Sequence, residues 1–242
     1  MKRKILVLVI LCGLLLGGAL VTAKEYKVEV VQLGSTDLYI NLAKAVADET
    51  KNTFTIEVAP RARAFYLIEN NQVDIMLPFT DIQSPKKQND LKFDNSIILF
   101  KICYVLYTNK NKNITADELK NSNPKNYKIE TDTANAGLFE FNAASSSSVE
   151  ASLTKVDNGS IDGFIFAQPT GDVALKKLGL KNIKRQPYSY YNTNFAIQKG
   201  AKGSELDKII NDGIAKLKAN GKFDAILGSL IKAGSAYIEW QT

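Results

Sequence analysis

The chain has no histidine in its 242 residues, only two cysteines and two methionines, and a single tryptophan. The missing histidine excludes Ser–His and Cys–His nucleophile pairs, imidazole-ligated zinc or iron, and an imidazole pH switch. Any chemistry would have to run on carboxylates, lysine, tyrosine or a cofactor held without imidazole. Arginine is scarce as well, present only at Arg3, Arg61, Arg63 and Arg185. The positive charge is mostly lysine spread along the chain, without the clustered basic residues and interleaved aromatics of a nucleic-acid face. The lysines read instead as a solvated surface. What remains is 45% hydrophobic, enough for a sizeable core in one or two domains.

Residues Met1–Ala23 read as a secretory signal: Lys2, Arg3 and Lys4 lead an apolar run from Ile5 to Leu20, and Val21-Thr22-Ala23 offers small residues for cleavage. That apolar run is short for a bilayer span, and Lys24-Glu25 follow at once. Lipid attachment at Cys12 is the minor alternative, because Leu11 before it is not small. Cleavage after Ala23 removes three positive charges and no acid, so the net charge falls from +6 to +3. Cys103 is then the only cysteine, which leaves no intrachain disulfide. It sits in the apolar run Ile97–Tyr107 and reads as inert packing.

The spacing of apolar residues predicts alternating strands and helices. Tyr26–Leu33 alternates as a strand, and Asp37 can cap a helix to about Thr50 with Leu38, Leu42, Ala45 and Val46 on one face. A strand at Thr53–Val58, a helix at Arg61–Asn70, a strand at Val73–Leu77 and a polar loop at Thr80–Asp90 follow. Ile97–Tyr107 reads as a buried strand able to cross between two lobes. Beyond it, Thr115 and Glu118 are spaced as a capping box, Tyr127–Glu130 is a strand, and Asp132–Gly137 is a loop opening another helix. Ser145–Ser148 reads as the polar approach and cap to a helix at Val149–Asp157, with a strand at Ile161–Phe166. Strand–helix units in this order argue for α/β lobes with parallel strands.

One stretch repeats. Phe65–Asp74 resembles Leu153–Asp162 at a constant offset of 88 residues. Each is a helix end, an Asn or Gly suited to the left-handed conformation, then a strand entered through Asp. Chance recurrence of a common helix–turn–strand unit is one explanation; two similar lobes in succession is the other. Ligands in such sheets bind beyond the carboxyl ends of the strands, so two facing lobes would form a cleft.

Three segments together resemble the bacterial extracellular solute-binding proteins of family 3, the receptors of ABC importers. They are Arg63-Ala64 through Leu67–Asn70 to Val73-Asp74-Ile75, then Asn158–Gly163, and last Leu206–Asn211 with Ala215–Phe223 and Ile226. The resemblance implies an α/β, two-lobed type II periplasmic binding fold, with residues 24–105 and 192–242 in lobe one and 106–191 in lobe two. Two hinge strands would run near Leu106-Tyr107-Thr108 and Tyr190-Tyr191-Asn192. It also implies a periplasmic monomer that binds a small solute, needs no cofactor, and delivers its load to a membrane ABC permease.

The ligand pattern departs from the family. Relatives that take α-amino acids carry an arginine six residues before a Phe-Ser pair, where this chain has Lys87 before Phe93-Asp94. Lysine lacks the bidentate fork. The family's amino-group aspartate lies five residues after the strand-entry Asp, where Ala167 stands with Gln168 beside it. Arg61 and Arg63, at a strand-to-helix turn, could hold an anionic group or form salt bridges with Glu69 or Glu57. Ser35, Thr36 and Asp37 open the first helix, where backbone N–H groups could accept an anion or be ordinarily capped. Phe79-Thr80-Asp81 follows the third strand; Asp132, Thr133 and Asn135 precede the expected lobe-two helix; Tyr190 stands among Tyr188 and Tyr191 at the second hinge. The expected function is capture of a small anionic or zwitterionic solute. The alternatives are a dehydratase-like enzyme working through Asp81, Asp132 or Glu140, and a surface antigen or adhesin on the same fold.

Overall fold

The computed structural model describes residues 24–82, 91–121, 126–133, 135–139, 141–146 and 148–239. Eight strands form one curled sheet in the order β2-β1-β3-β8-β4-β7-β5-β6. In chain order the first elements are β1 (Glu25–Val31), α1 (Thr36–Thr50), β2 (Thr53–Ala59), α2 (Arg61–Glu69) and β3 (Ile75–Asp81). Then comes β4 (Phe93–Asn109), followed by α3 (Ala116–Lys120), β5 (Ile129–Asp132), β6 (Ala144–Ser146), α4 (Val149–Asp157), β7 (Gly163–Ala167) and α5 (Gln168–Leu178). β8 (Ile183–Gln198), α6 (Glu205–Ala219) and α7 (Lys222–Gly234) complete the chain.

The order is symmetric about its middle. β1 lies between β2 and β3, and β5 between β6 and β7, with all four pairings parallel. The long strands β4 and β8 pair antiparallel from Phe93–Gln198 to Asn109–Ile183 and run through both halves. Their ladder is irregular between Tyr104 and Val105, among other places, which bends the strands locally.

The repeat is a true structural duplication. Asn71 and Gly159 both take positive φ, 54° and 77°. Asp74 and Asp162 then accept the backbone N–H of Lys27 and Lys128, each at 2.8 Å. Each aspartate thereby ties the entry of its own strand to the central strand of its half.

The core lies on both faces of the sheet. In the first half Val28, Val30, Ile75, Leu77, Phe195 and Ile197 pack with Leu42 and Val46 of α1 and with Ile210, Ile214 and Leu217 of α6. The opposite face is covered by α2 around Phe79 and Phe93, whose rings meet edge-on at 4.9 Å. In the second half Val105, Tyr107 and Phe164 pack with Leu153 and Val156 of α4 and Leu175 of α5. Fully burying a side chain of this size contributes about 1.5–3 kcal/mol. Cys103 is buried among these residues, and burial raises its thiol pKa.

Several expectations are corrected. α1 is capped by position at Ser35, without a side-chain bond, and Asp37 lies in its first turn. The described residues after Asp132 form turns, not a helix, because the Asn135 N–H bonds the Asp132 carbonyl and the Leu138 N–H bonds that of Asn135. Part of the serine run is strand β6 before Ser148 caps α4 by accepting the Ala151 N–H. The Thr115–Glu118 capping box forms on both sides. No described helix is long and apolar enough to cross a membrane.

Candidate functional site

Parallel strands with helices after them bring their carboxyl ends to one place. Here β1, β2 and β3 from one half and β5 and β7 from the other end beside the crossing strands β4 and β8. The loops that follow carry most of the residues singled out above.

Four polar side chains converge where the halves meet. Tyr104 of β4, 3% exposed, has its ring edge-on to Tyr191 of β8 at 5.1 Å. Burial raises its phenol pKa, and Arg61 is the largest opposing influence; Asp132 adds to the rise while Asn135 works against it. So Arg61 from the first half and Asp132 and Asn135 from the second all reach the same hydroxyl group's surroundings. Tyr39 of α1 is near enough to feel Tyr104, and burial drives its own pKa far up.

Arg61 begins α2 directly after Pro60, whose backbone cannot donate and whose φ of −54° suits a helix entry. Its guanidinium lies over the Phe65 ring, 5.3 Å from the centroid, a cation–π arrangement. The Nε and Nη2 atoms are buried and make no hydrogen bond. These two atoms form one edge of the guanidinium, the edge that binds a carboxylate side-on with two parallel bonds. No ion pair joins Arg61 or Arg63 to Glu57 or Glu69 among the described residues.

Asn135 is fully buried beside the Tyr104 hydroxyl. The Arg61 edge and the Asn135 amide both lie beside Tyr104.

The other expected residues divide. The Thr36 hydroxyl is engaged with the Leu33 backbone, donating to its carbonyl at 2.6 Å and accepting its N–H at 2.7 Å. Ser35 stays at the mouth of α1 without a capping bond. The Phe79 side chain is in the core, Thr80 pairs with Thr193 across the β3–β8 ladder, and Asp81 accepts from Asn95 at 3.3 Å. The Thr133 hydroxyl donates to the Ser146 carbonyl at 3.0 Å. Gln168 is committed elsewhere: its amide donates to the carbonyls of Ala233 and Ala236 and accepts the Ile238 N–H. Tyr190 lies on the opposite sheet face from Tyr191, and its hydroxyl accepts the Tyr237 N–H at 3.2 Å. Lys87 and Glu140 lie outside the described residues.

Tyr104 and Tyr39 are the residues that sequence reasoning passed over, and Tyr191 was noted only beside Tyr190 at the second hinge. Strand parity held the signal for Tyr104: it shares a face with Tyr191, whereas Tyr190 pairs with Cys103 on the other. No cluster of three or more acidic, cysteine or histidine side chains suited to a metal occurs among the described residues.

The arrangement places a guanidinium edge without hydrogen bonds and a buried amide beside Tyr104, between two halves joined by crossing strands. The fold is shared with many solved structures. The ligand-binding core of GluR0 from Nostoc punctiforme, in complex with L-glutamate, is 14% identical, with a TM-score of 0.64 over 84% of this chain and 98% of that one. The arginine-, lysine-, histidine-binding protein ArtJ of Geobacillus stearothermophilus is 14% identical, with a TM-score of 0.62 over 86% and 94%. The substrate-binding protein of an amino acid ABC transporter is 16% identical, with a TM-score of 0.60 over 86% and 99%. No curated protein matches the chain in sequence. The model of the bacterial extracellular solute-binding proteins, family 3, matches residues 37–231, and the chain, with its type II periplasmic binding fold, belongs to that family.

Proposed function

We propose that the protein is a solute receptor that captures a small carboxylate-bearing molecule, anionic or zwitterionic, between its two lobes. The observation that carries this reading is the buried, unpaired Nε–Nη2 edge of Arg61. A carboxylate there would gain two charge-assisted bonds, and Asn135 would fix a second polar group by donating and accepting at once. Asp132 beside Tyr104 would favour an ammonium on the same ligand. A standard α-amino acid lacks its usual clamp, since Ala167 stands where relatives hold the amino group and the Gln168 amide is engaged with the C-terminal segment. The solute is therefore one whose charges are spaced differently.

The receptor is a binding protein without turnover. It acts in the periplasm as a monomer, after removal of residues 1–23, and passes its solute to an ABC permease. The family and the ABC-transporter relative support this partner. Lobe one comprises 24–105 and 192–242 and lobe two 106–191, a division that the crossing strands β4 and β8 favour. Ser35, Thr80 and Asp81 complete the lobe-one wall, and Thr133 the lobe-two wall.

A thermal-shift panel of small carboxylates, amines, sugars and peptides tests the reading. A true ligand at a hundredfold excess over its dissociation constant adds about 2.7 kcal/mol of stability. Arg61→Ala should weaken that ligand by about 1.5–3 kcal/mol while the protein still folds. A panel in which only uncharged compounds stabilise, or an Arg61→Ala protein that binds its carboxylate unchanged, would refute the proposal.

A further inference from the structure

A second polar cavity lies away from the interlobe site, between α2 and the β1–β2 edge of the sheet. Its volume is about 460 Å³, within the range of small-molecule pockets. Glu29 of β1 and Glu57 of β2 line it from neighbouring strands and are direct partners in the parallel ladder. Lys27, two residues before Glu29, and Arg63 of α2 also line it. None of these residues is shared with the constellation around Tyr104.

Glu29 is the unusual member. It is 1% exposed, and its Oε2 has no hydrogen-bond partner. Two cations line the same cavity, yet no ion pair joins Lys27 or Arg63 to Glu29 or Glu57 among the described residues. Burial, and then the neighbouring Glu57 carboxylate, raise the Glu29 pKa, with Arg63 opposing them. A buried carboxylate oxygen beside a second carboxylate calls for a cationic donor. The cavity holds equal numbers of both signs: residues two apart on a strand put the Cα atoms of Lys27 and Glu29 about 6.8 Å from one another along one face.

We propose that this cavity is a second binding site, selective for a small zwitterion whose ammonium donates to Glu29 and Glu57 and whose acid group faces Lys27 and Arg63. The two cations at the rim disfavour a diamine, and the two carboxylates disfavour a simple acid. The site is independent of the interlobe reading: a protein that binds nothing at Arg61 could still fill it.

The test is an amide-resolved NMR titration of the signal-free protein with γ-aminobutyrate, putrescine and butyrate as probes. γ-Aminobutyrate is expected to move the resonances of Lys27, Glu29, Glu57 and Asn71–Val73 saturably. Glu29→Gln, which keeps the shape but removes the charge, should weaken that response at least about tenfold, and Arg61→Ala should leave it unchanged. If Glu29→Gln does not fold, Glu57→Gln serves the same purpose and should weaken the response in the same direction. Absence of a saturable response, an unaltered response in the glutamate variant that folds, or an equal response to putrescine or butyrate would overturn the proposal.

Discussion

Gly171 in α5 offers a sharp test of how tightly the second half is packed. An added Cβ there would lie 2.2 Å from Oη, 2.7 Å from Cζ and 2.9 Å from Cε2 of Tyr107. Tyr107 cannot move aside easily: it is fully buried, its ring lies 6.1 Å from that of Phe164, and its hydroxyl donates to Asp172 Oδ1 at 2.9 Å. Asp172 is itself held by the Arg185 guanidinium through its other oxygen. In an open helix, Gly→Ala would stabilise by about 1 kcal/mol. Here overpacking costs about 1–3 kcal/mol, and a lost bond to a charged acceptor about 1.5–3 kcal/mol. With central values, Gly171→Ala loses about 3 kcal/mol net, a fall in Tm of about 6–12 °C for a chain of this size. Thermal and urea unfolding followed by circular dichroism measure it. Gly228→Ala in α7 is the control, because its Cβ would meet nothing closer than 3.9 Å; it should hold or raise Tm. A Gly171→Ala protein as stable as the parent would refute the packing argument.

Asp207 should govern part of the acid stability. Burial raises its pKa, but Ser96, the Gly203 N–H, Lys202 and Asn211 together outweigh that and hold it below the ordinary carboxylate value. A depressed carboxylate contributes stability above the unfolded pKa of about 3.9 and loses it as pH falls through the folded value. Asp207→Asn should therefore flatten the decline in unfolding free energy between about pH 5 and pH 2; an unchanged slope by urea titration at each pH would count against the assignment. Gln168→Ala should unpair the Ala233 and Ala236 carbonyls and the Ile238 N–H, costing about 2–3 kcal/mol. Hydrogen exchange at Ile238 should quicken, and unaltered protection there would contradict the role given to Gln168.

Much of the fold was legible because it follows from local rules. The left-handed turns at Asn71 and Gly159 are read from residues that accept positive φ, and the Thr115–Glu118 box from its spacing. β6 was not, because Ala144-Ser145-Ser146 shows no apolar alternation; it is a strand only because β5 runs beside it. The turns after Asp132 look like a helix start in sequence, but the chain instead places Asn135 beside Tyr104. At the site, Arg61 could be named from rarity and position. Asn135 and Tyr104 matter through burial and through strand parity, and neither quantity exists until the two halves meet. Gln168 failed to reach the site for a related reason: its partners are in a C-terminal segment 65 or more residues away.

The joining of first and last elements has a consequence for how the chain acquires its structure. The buried face of α1 waits for α6, where Val46 presses on Gly213 so closely that a Cβ there would lie 2.8 Å away. β3 waits for β8, and β4 cannot complete its ladder until the chain reaches Gln198. Contacts of such sequence separation carry a loop-closure penalty and slow the search for the native state. Neither half can finish while the chain is still emerging, so the polypeptide stays unfinished, and threadable, until almost its whole length is available.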